Sequence, residues 1–377
     1  ASNNTGVGAG ALYSNTTGTH NTALGTGVYG STQGALGSNT TGDHNVAVGL
    51  QTSYCNCTGI HNTAMGNYAL YYNCTGSCNI AVGYTALQKN QSGNVNTAIG
   101  YQALFCNTTG SGNNAMGRAA LCLNTTGAVN TGIGDFALSN NTTASYNTAV
   151  GQKALLATTT GTCNTAVGSC SLYNNTTGNN SVAVGACALK ANTTGSENTA
   201  IGRRALGKTT SGYNNFAGGS ESLYGNTTGC FNIGLGHNSL KSNTTASHNI
   251  GIGSYALCKN TTGTRNIAMG HNTMGLNVSG DWNTAMGFNA MYSNTGGCKN
   301  VAVGYCALFD ITTATCNTAI GYYAAANNTT GGDQTAVGSR SLYCNSTGTL
   351  NVAVGSDALR CNTTGSCNTA LGTYAMD

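Results

Sequence analysis

The eleven residues NTTGSCNTALG at 362–372 recur with small changes along the chain, as NTTGSENTAIG from Asn192, NTTGSGNNAMG from Asn107 and NTTGTRNIAMG from Asn260. A fixed period decides architecture before local propensity does, because every copy must fold alike and pack on its neighbours. Counted from the Asn of the N-T-A-V-G core, units open at Asn4, Asn21 and Asn45, then every 17 residues to Asn368, which makes 22 units with the last cut short at Asp377. The unit opening at Asn21 is 24 residues long, and its seven extra residues, within 26–34, read as a loop inserted into a single repeat domain over 1–377.

Numbering each unit from that Asn shows what the repeat demands. Position 1 is Asn in 20 of 22 units (Ser181 and Gln334 differ), position 3 is Ala or Gly, and position 5 is always Gly. Position 4 is Val, Ile, Leu or Met except at Gly218; position 8 is Ala, Ser or Thr; position 9 is Leu or Met except at Ser53 and Ala325. Positions 2 and 4 alternate with the small residues at 1, 3 and 5, the period of two that marks a strand. Gly, Asn and Thr are poor helix formers. The 56 Gly and absence of Pro suit a stack in which every rung donates backbone N–H groups to the next. These features predict an all-β fold, a parallel β-solenoid (β-roll or β-helix) of about 22 coils with a 17-residue repeat. Its thin core is expected to hold the position 4 aliphatics and position 9 leucines as two ladders. The position 1 Asn amides, bonded along the axis, form a third. On this reading an Asp at Val150 or Ile201 melts neighbouring coils.

Composition narrows the function. Charged residues are 6% of the chain, against about 25% in ordinary globular proteins. The net charge is +4, with Lys and Arg scattered and no basic stripe, which argues against a nucleic-acid partner. No apolar run is long enough to span a membrane. Ala1 in place of Met is what a processed secreted chain would show. The 17 cysteines point to an oxidising compartment. Three pairs share a phase in consecutive coils, Cys57 with Cys74, Cys170 with Cys187, and Cys344 with Cys361. Equal phase puts their Cα atoms about 4.8 Å apart, within disulfide reach; Cys361 has Cys367 as a second candidate partner.

Position 12 begins an N-x-[ST] sequon at Asn15, Asn39, Asn56, Asn73, Asn90, Asn107, Asn124, Asn141, Asn175, Asn192, Asn226, Asn243, Asn260, Asn277, Asn328, Asn345 and Asn362. The motif predicts surface turns able to take N-linked glycans. Turn chemistry alone also explains it, with Gly at position 15 supplying a positive φ. The nine carboxylates never recur in pairs, so no acid/base dyad is encoded and no enzyme is expected. His20, His44 and His61 all hold position 17 of successive units; stacked exposed imidazoles are expected there, and neither metal nor cofactor.

The SVAVG at 181–185, with NVAVG from Asn45, Asn300 and Asn351, resembles the repeat of trimeric autotransporter adhesin heads, and the whole unit is similar to repeats of phage and bacterial tail-fibre-like proteins. The resemblance implies a β-roll and a homotrimer at a cell or virion surface. The chain is therefore expected to be an extracellular structural fibre subunit that self-associates. It would do so end to end into a filament, through its in-register first and last units, or as a homotrimer through the small-residue face of positions 1, 3 and 5. An adhesive fibre head is the alternative. A third reading is an ice-binding solenoid, since the composition resembles the threonine-rich antifreeze β-helices of insects. It is disfavoured, because the threonines of positions 13 and 14 are adjacent in a turn and position 2 alternates with Val and Ile as a packing site would.

Overall fold

The computed structural model describes residues 2–27 and 33–377; residues 28–32, inside the expected insertion, lie outside them. There are two compact units, Ala1–Thr194 and Gly195–Asp377. The first carries eleven three-residue strands, β1 (Thr5–Val7) to β11 (Val182–Val184), and the second another eleven, β12 (Thr199–Ile201) to β22 (Thr369–Leu371). Within each unit consecutive strands pair in parallel and in register. In the first unit Thr63 lies opposite Ile80, Ala64 opposite Ala81 and Met65 opposite Val82. In the second, Thr318, Ala319 and Ile320 face Thr335, Ala336 and Val337. Each strand covers positions 2 to 4, so each unit is a parallel β-solenoid with one rung per repeat. No α-helix occurs among the described residues.

The strand faces are the reverse of the expected ones. Ala64, Ala166, Ala183 and Ala200, at position 3, are fully buried, whereas Met65, Val167, Val184 and Ile201, at position 4, are 37–47% exposed. The cause is the width of the coil. Leu at position 9 crosses from the opposite wall and meets the strand: a Cβ built on Gly6 would lie 3.7 Å from Leu12 Cδ1 and 3.8 Å from Ala11 Cβ, which is ordinary contact. One methyl fits beneath that leucine, and a branched chain does not. The position 9 ladder is where the repeat predicts it, with Leu70, Leu87 and Leu104 fully buried. Because positions 1 and 3 face this core, they cannot form the lateral trimer surface either.

Two columns of amides complete the interior. At position 1, the Asn79 backbone N–H donates to Asn62 Oδ1 at 3.0 Å, and Asn79 Nδ2 donates to Asn62 Oδ1 at 3.2 Å and Gly93 O at 2.9 Å. At position 12, Asn73 Nδ2 donates to Asn56 Oδ1 and to Gly76 O, both at 2.8 Å. Gly76 O also accepts from Asn62 Nδ2 at 2.9 Å, so the carbonyl at position 15 ties both columns together. This explains the glycine there, and the reason differs from the expected one. Gly93 does not have a positive φ; instead, a Cβ on it would lie 2.5 Å from Asn90 Oδ1 and press on Gly110 O of the next rung. Three rungs hold Ala at this place, with Ala144, Ala246 and Ala314 at most 5% exposed.

Positive φ is found elsewhere. Gly at position 5 takes φ of +120° to +156°, and a Cβ on Gly100 would sit 2.7 Å from Gly117 O, which is why that position never varies. Positions 7, 9 and 17 are left-handed with side chains, as at Tyr68 (φ 59°), Leu70 (54°) and Cys78 (59°). Their N–H groups are fixed by neighbouring rungs, Tyr68 N to Leu50 O at 3.0 Å and Leu70 N to Ala86 O at 2.9 Å, which holds a conformation that costs an L-residue about 1–2 kcal/mol.

Candidate functional site

The predicted sequon sites lie inside the coil. Fifteen of the seventeen asparagines, from Asn39 to Asn345, are fully buried, and Asn15 and Asn362 are half-buried. Their amides are used: Asn107 Nδ2 donates to Asn90 Oδ1 at 2.8 Å and Gly110 O at 2.9 Å. A glycan on Nδ2 would break both bonds and find no room, so the folded coil offers no accessible amide at these fifteen sites. What faces solvent from the same turn is the hydroxyl two residues on, as at Thr109, Thr126 and Thr143.

All seventeen cysteines are free thiols. Cys57 N donates to Cys74 O at 3.0 Å, Cys187 N to Ser169 O at 2.9 Å and Cys344 N to Arg360 O at 2.9 Å. The expected pairs Cys57–Cys74, Cys170–Cys187 and Cys344–Cys361 thus sit on adjacent rungs without an S–S bond, and the rungs are held by the ladders. Burial, then the nearby Cys74 and Cys57 thiols, pushes the Cys55 thiol up to about 11.

Rings at equal phase stack along the axis. His20 and His44 have centroids 4.8 Å apart and planes 8° apart, and His44 and His61 are 5.0 Å apart. In the second unit His271, Phe288, Tyr305 and Tyr322 form a column with spacings of 5.4, 5.3 and 5.5 Å. Rings stacked this way cover one another's faces and present edges outward, so they offer a ligand little π surface. No group of three or more His, Cys, Asp or Glu able to hold a metal is found among the described residues.

Every Lys, Arg, Asp and Glu of the chain lies at position 6, 7, 10, 11, 16 or 17. Glu221 receives Lys241 at 2.9 Å, Arg203 at 3.2 Å and Arg204 at 3.6 Å. The Lys241 hydrogen bond, with these three cations, holds its carboxyl below the usual carboxylate range. Buried Asp357 is flanked by Arg340 at 3.0 Å and Arg360 at 3.5 Å.

The outward sheet face, formed by positions 2 and 4, is what the sequence reading missed. It is polar only through Thr and one Asn (Asn114), and none of its residues in any unit is charged. The readable signal was spread of size. Position 4 runs from Gly218 to Met269 and position 2 includes Asn114 and Phe216, whereas position 9 keeps almost wholly to Leu and Met; a tight core does not tolerate that range.

No protein-family model matches the chain, and no curated protein matches it.

Proposed function

We propose that the chain is structural, a rigid β-solenoid element of an extracellular fibre. The observation carrying this reading is the pair of buried amide columns. They repeat the same axial bonds at nearly every rung, as from Asn62 to Asn96 and from Asn56 to Asn107. Such columns resist axial extension and bending, and they leave the side chains free for nothing but packing and solvent contact. The polar chemistry that recurs from unit to unit goes into the stacking of the chain on itself, which suits a structural element better than a catalyst. Electron microscopy and fibre diffraction of the native material test this. Unbranched fibres with a layer line near about 4.8 Å are expected. Discrete particles that bind defined glycans on an array would replace this reading with an adhesive head.

A further inference from the structure

We propose that the outward sheet face of positions 2 and 4 is a self-association surface on which a second copy of this chain packs sheet to sheet. In the first unit this face presents Met65, Ile99, Met116, Ile133 and Val167 at 37–45% exposure, beside Thr and Val side chains at position 2. Nothing charged interrupts it, although positions 6, 7, 16 and 17 in the turns on either side carry charges.

Area supports a partner. Three residues at about 3.3 Å each, across eleven rungs about 4.8 Å apart, make a flat face of roughly 500 Å² on one unit. That is a mixed aliphatic and threonine face as large as the largest patches of single soluble chains, which are often functional, and two such faces together reach the ~1,000 Å² at which specific interfaces begin. The rung spacing selects the partner. Only a surface with the same repeat keeps its side chains in step over many rungs, and a second copy has it. Two such sheets stack about 10 Å apart, and a face meeting its own copy gives a closed two-fold pair. The uneven relief of the face fits this occupant. Methionines adapt to a facing side chain, whereas an ice lattice needs a surface of constant height, which Ile80, Asn114 and Met116 do not provide.

This inference does not depend on fibre formation. The test uses the full chain, the triple variant Ile99→Lys, Ile133→Lys, Val167→Lys, and a control with Thr109→Lys, Thr126→Lys, Thr143→Lys on the exposed turn. Sedimentation of the wild type and of the control is expected to give twice the mass of one chain or a multiple of it. The outward triple variant is expected to fall to a single chain, with an unchanged circular dichroism spectrum. A wild type that stays single at its highest soluble concentration overturns the proposal. So does an outward variant that still pairs, or a control that falls apart equally. A single chain showing thermal hysteresis that the outward variant loses also overturns it, in favour of a face that orders water. Absence of fibres with pairing intact would sink only the structural reading above.

Discussion

Ala149 and Val150 are adjacent in the strand β9 (Thr148–Val150), yet they belong to different regions of the molecule. Ala149 is sealed under the position 9 leucines, and every neighbour of it along the axis is Ala or Gly. Val150 looks outward, between Ile133 and Val167. The inner side admits almost no variation in size, because the opposite wall stands one methyl away. The outer side admits anything from Gly218 to Met269, because no wall of its own coil lies above it. The lesson is that apolar character does not mark the inside of a narrow solenoid. Constancy of volume does.

The largest effect should come from exchanging the two sides. Ala149→Asp places an unpaired charge in a dry interior and is expected to cost roughly 4 kcal/mol or more, melting adjacent rungs. Val150→Asp on the outer side, compared at a concentration where the chain is single, should cost within about 1 kcal/mol. Urea denaturation of both variants checks the difference, and equal midpoints would mean that the faces have been assigned wrongly.

Next in size is the amide column. Asn73→Ala removes the donor to Asn56 Oδ1 and Gly76 O and the acceptor for Asn90 Nδ2. Asn56 Oδ1 is left buried without a donor, while Gly76 O keeps its bond from Asn62 Nδ2 and Asn90 Nδ2 its bond to Gly93 O, so a loss of about 1–3 kcal/mol is expected. A comparable change on the outer side, Thr131→Ala, should be nearly silent in the same measurement.

The column also carries a natural fault that can be mended. Thr158 takes the place of Asn at position 12, and both Thr158 Oγ1 and Asn141 Oδ1 are buried without a hydrogen-bond partner. Thr158→Asn should restore donation to Asn141 and to Gly161 O and supply an acceptor for Asn175 Nδ2. A gain of about 1–2 kcal/mol is expected, read as a raised thermal midpoint. A neutral or lowered midpoint would show that the column is decorative at this rung.

The smallest effect lies in the charged turn outside the coil. Glu221 has its carboxyl depressed in the folded chain by Lys241, Arg203 and Arg204. A depressed acid contributes stability that is present above its unfolded value and is lost as the pH falls through its folded value, so the contribution is intact at neutral pH and fades in acid below pH ~4.5. Glu221→Gln should slightly lower the neutral stability and flatten the acid limb of the melting profile. An unchanged acid limb would remove the ion cluster from the stability account.

The sequence by itself determined the period, the number of rungs, a strand within positions 1 to 5, the buried leucine rank and the axial Asn column at position 1. Each follows from a constraint that recurs at fixed spacing, and recurrence survives translation into any coil geometry. Its period of two did not say which side of the strand is inside, because alternation separates the faces without naming them; the spread of size at positions 2 and 4 hinted at it, and the reach of leucines such as Leu12 and Leu121 across the coil made that choice. Nor could it place Asn73 or Asn107. An N-T-T-G turn reads as surface chemistry, and only the closing of the coil brings the carbonyl at position 15 within reach of two asparagine amides at once. That convergence turns a predicted glycan site into a wall of the core. The outward face became visible only then, since the aliphatic side chains expected to fill the interior had to go somewhere once alanine and leucine had filled it.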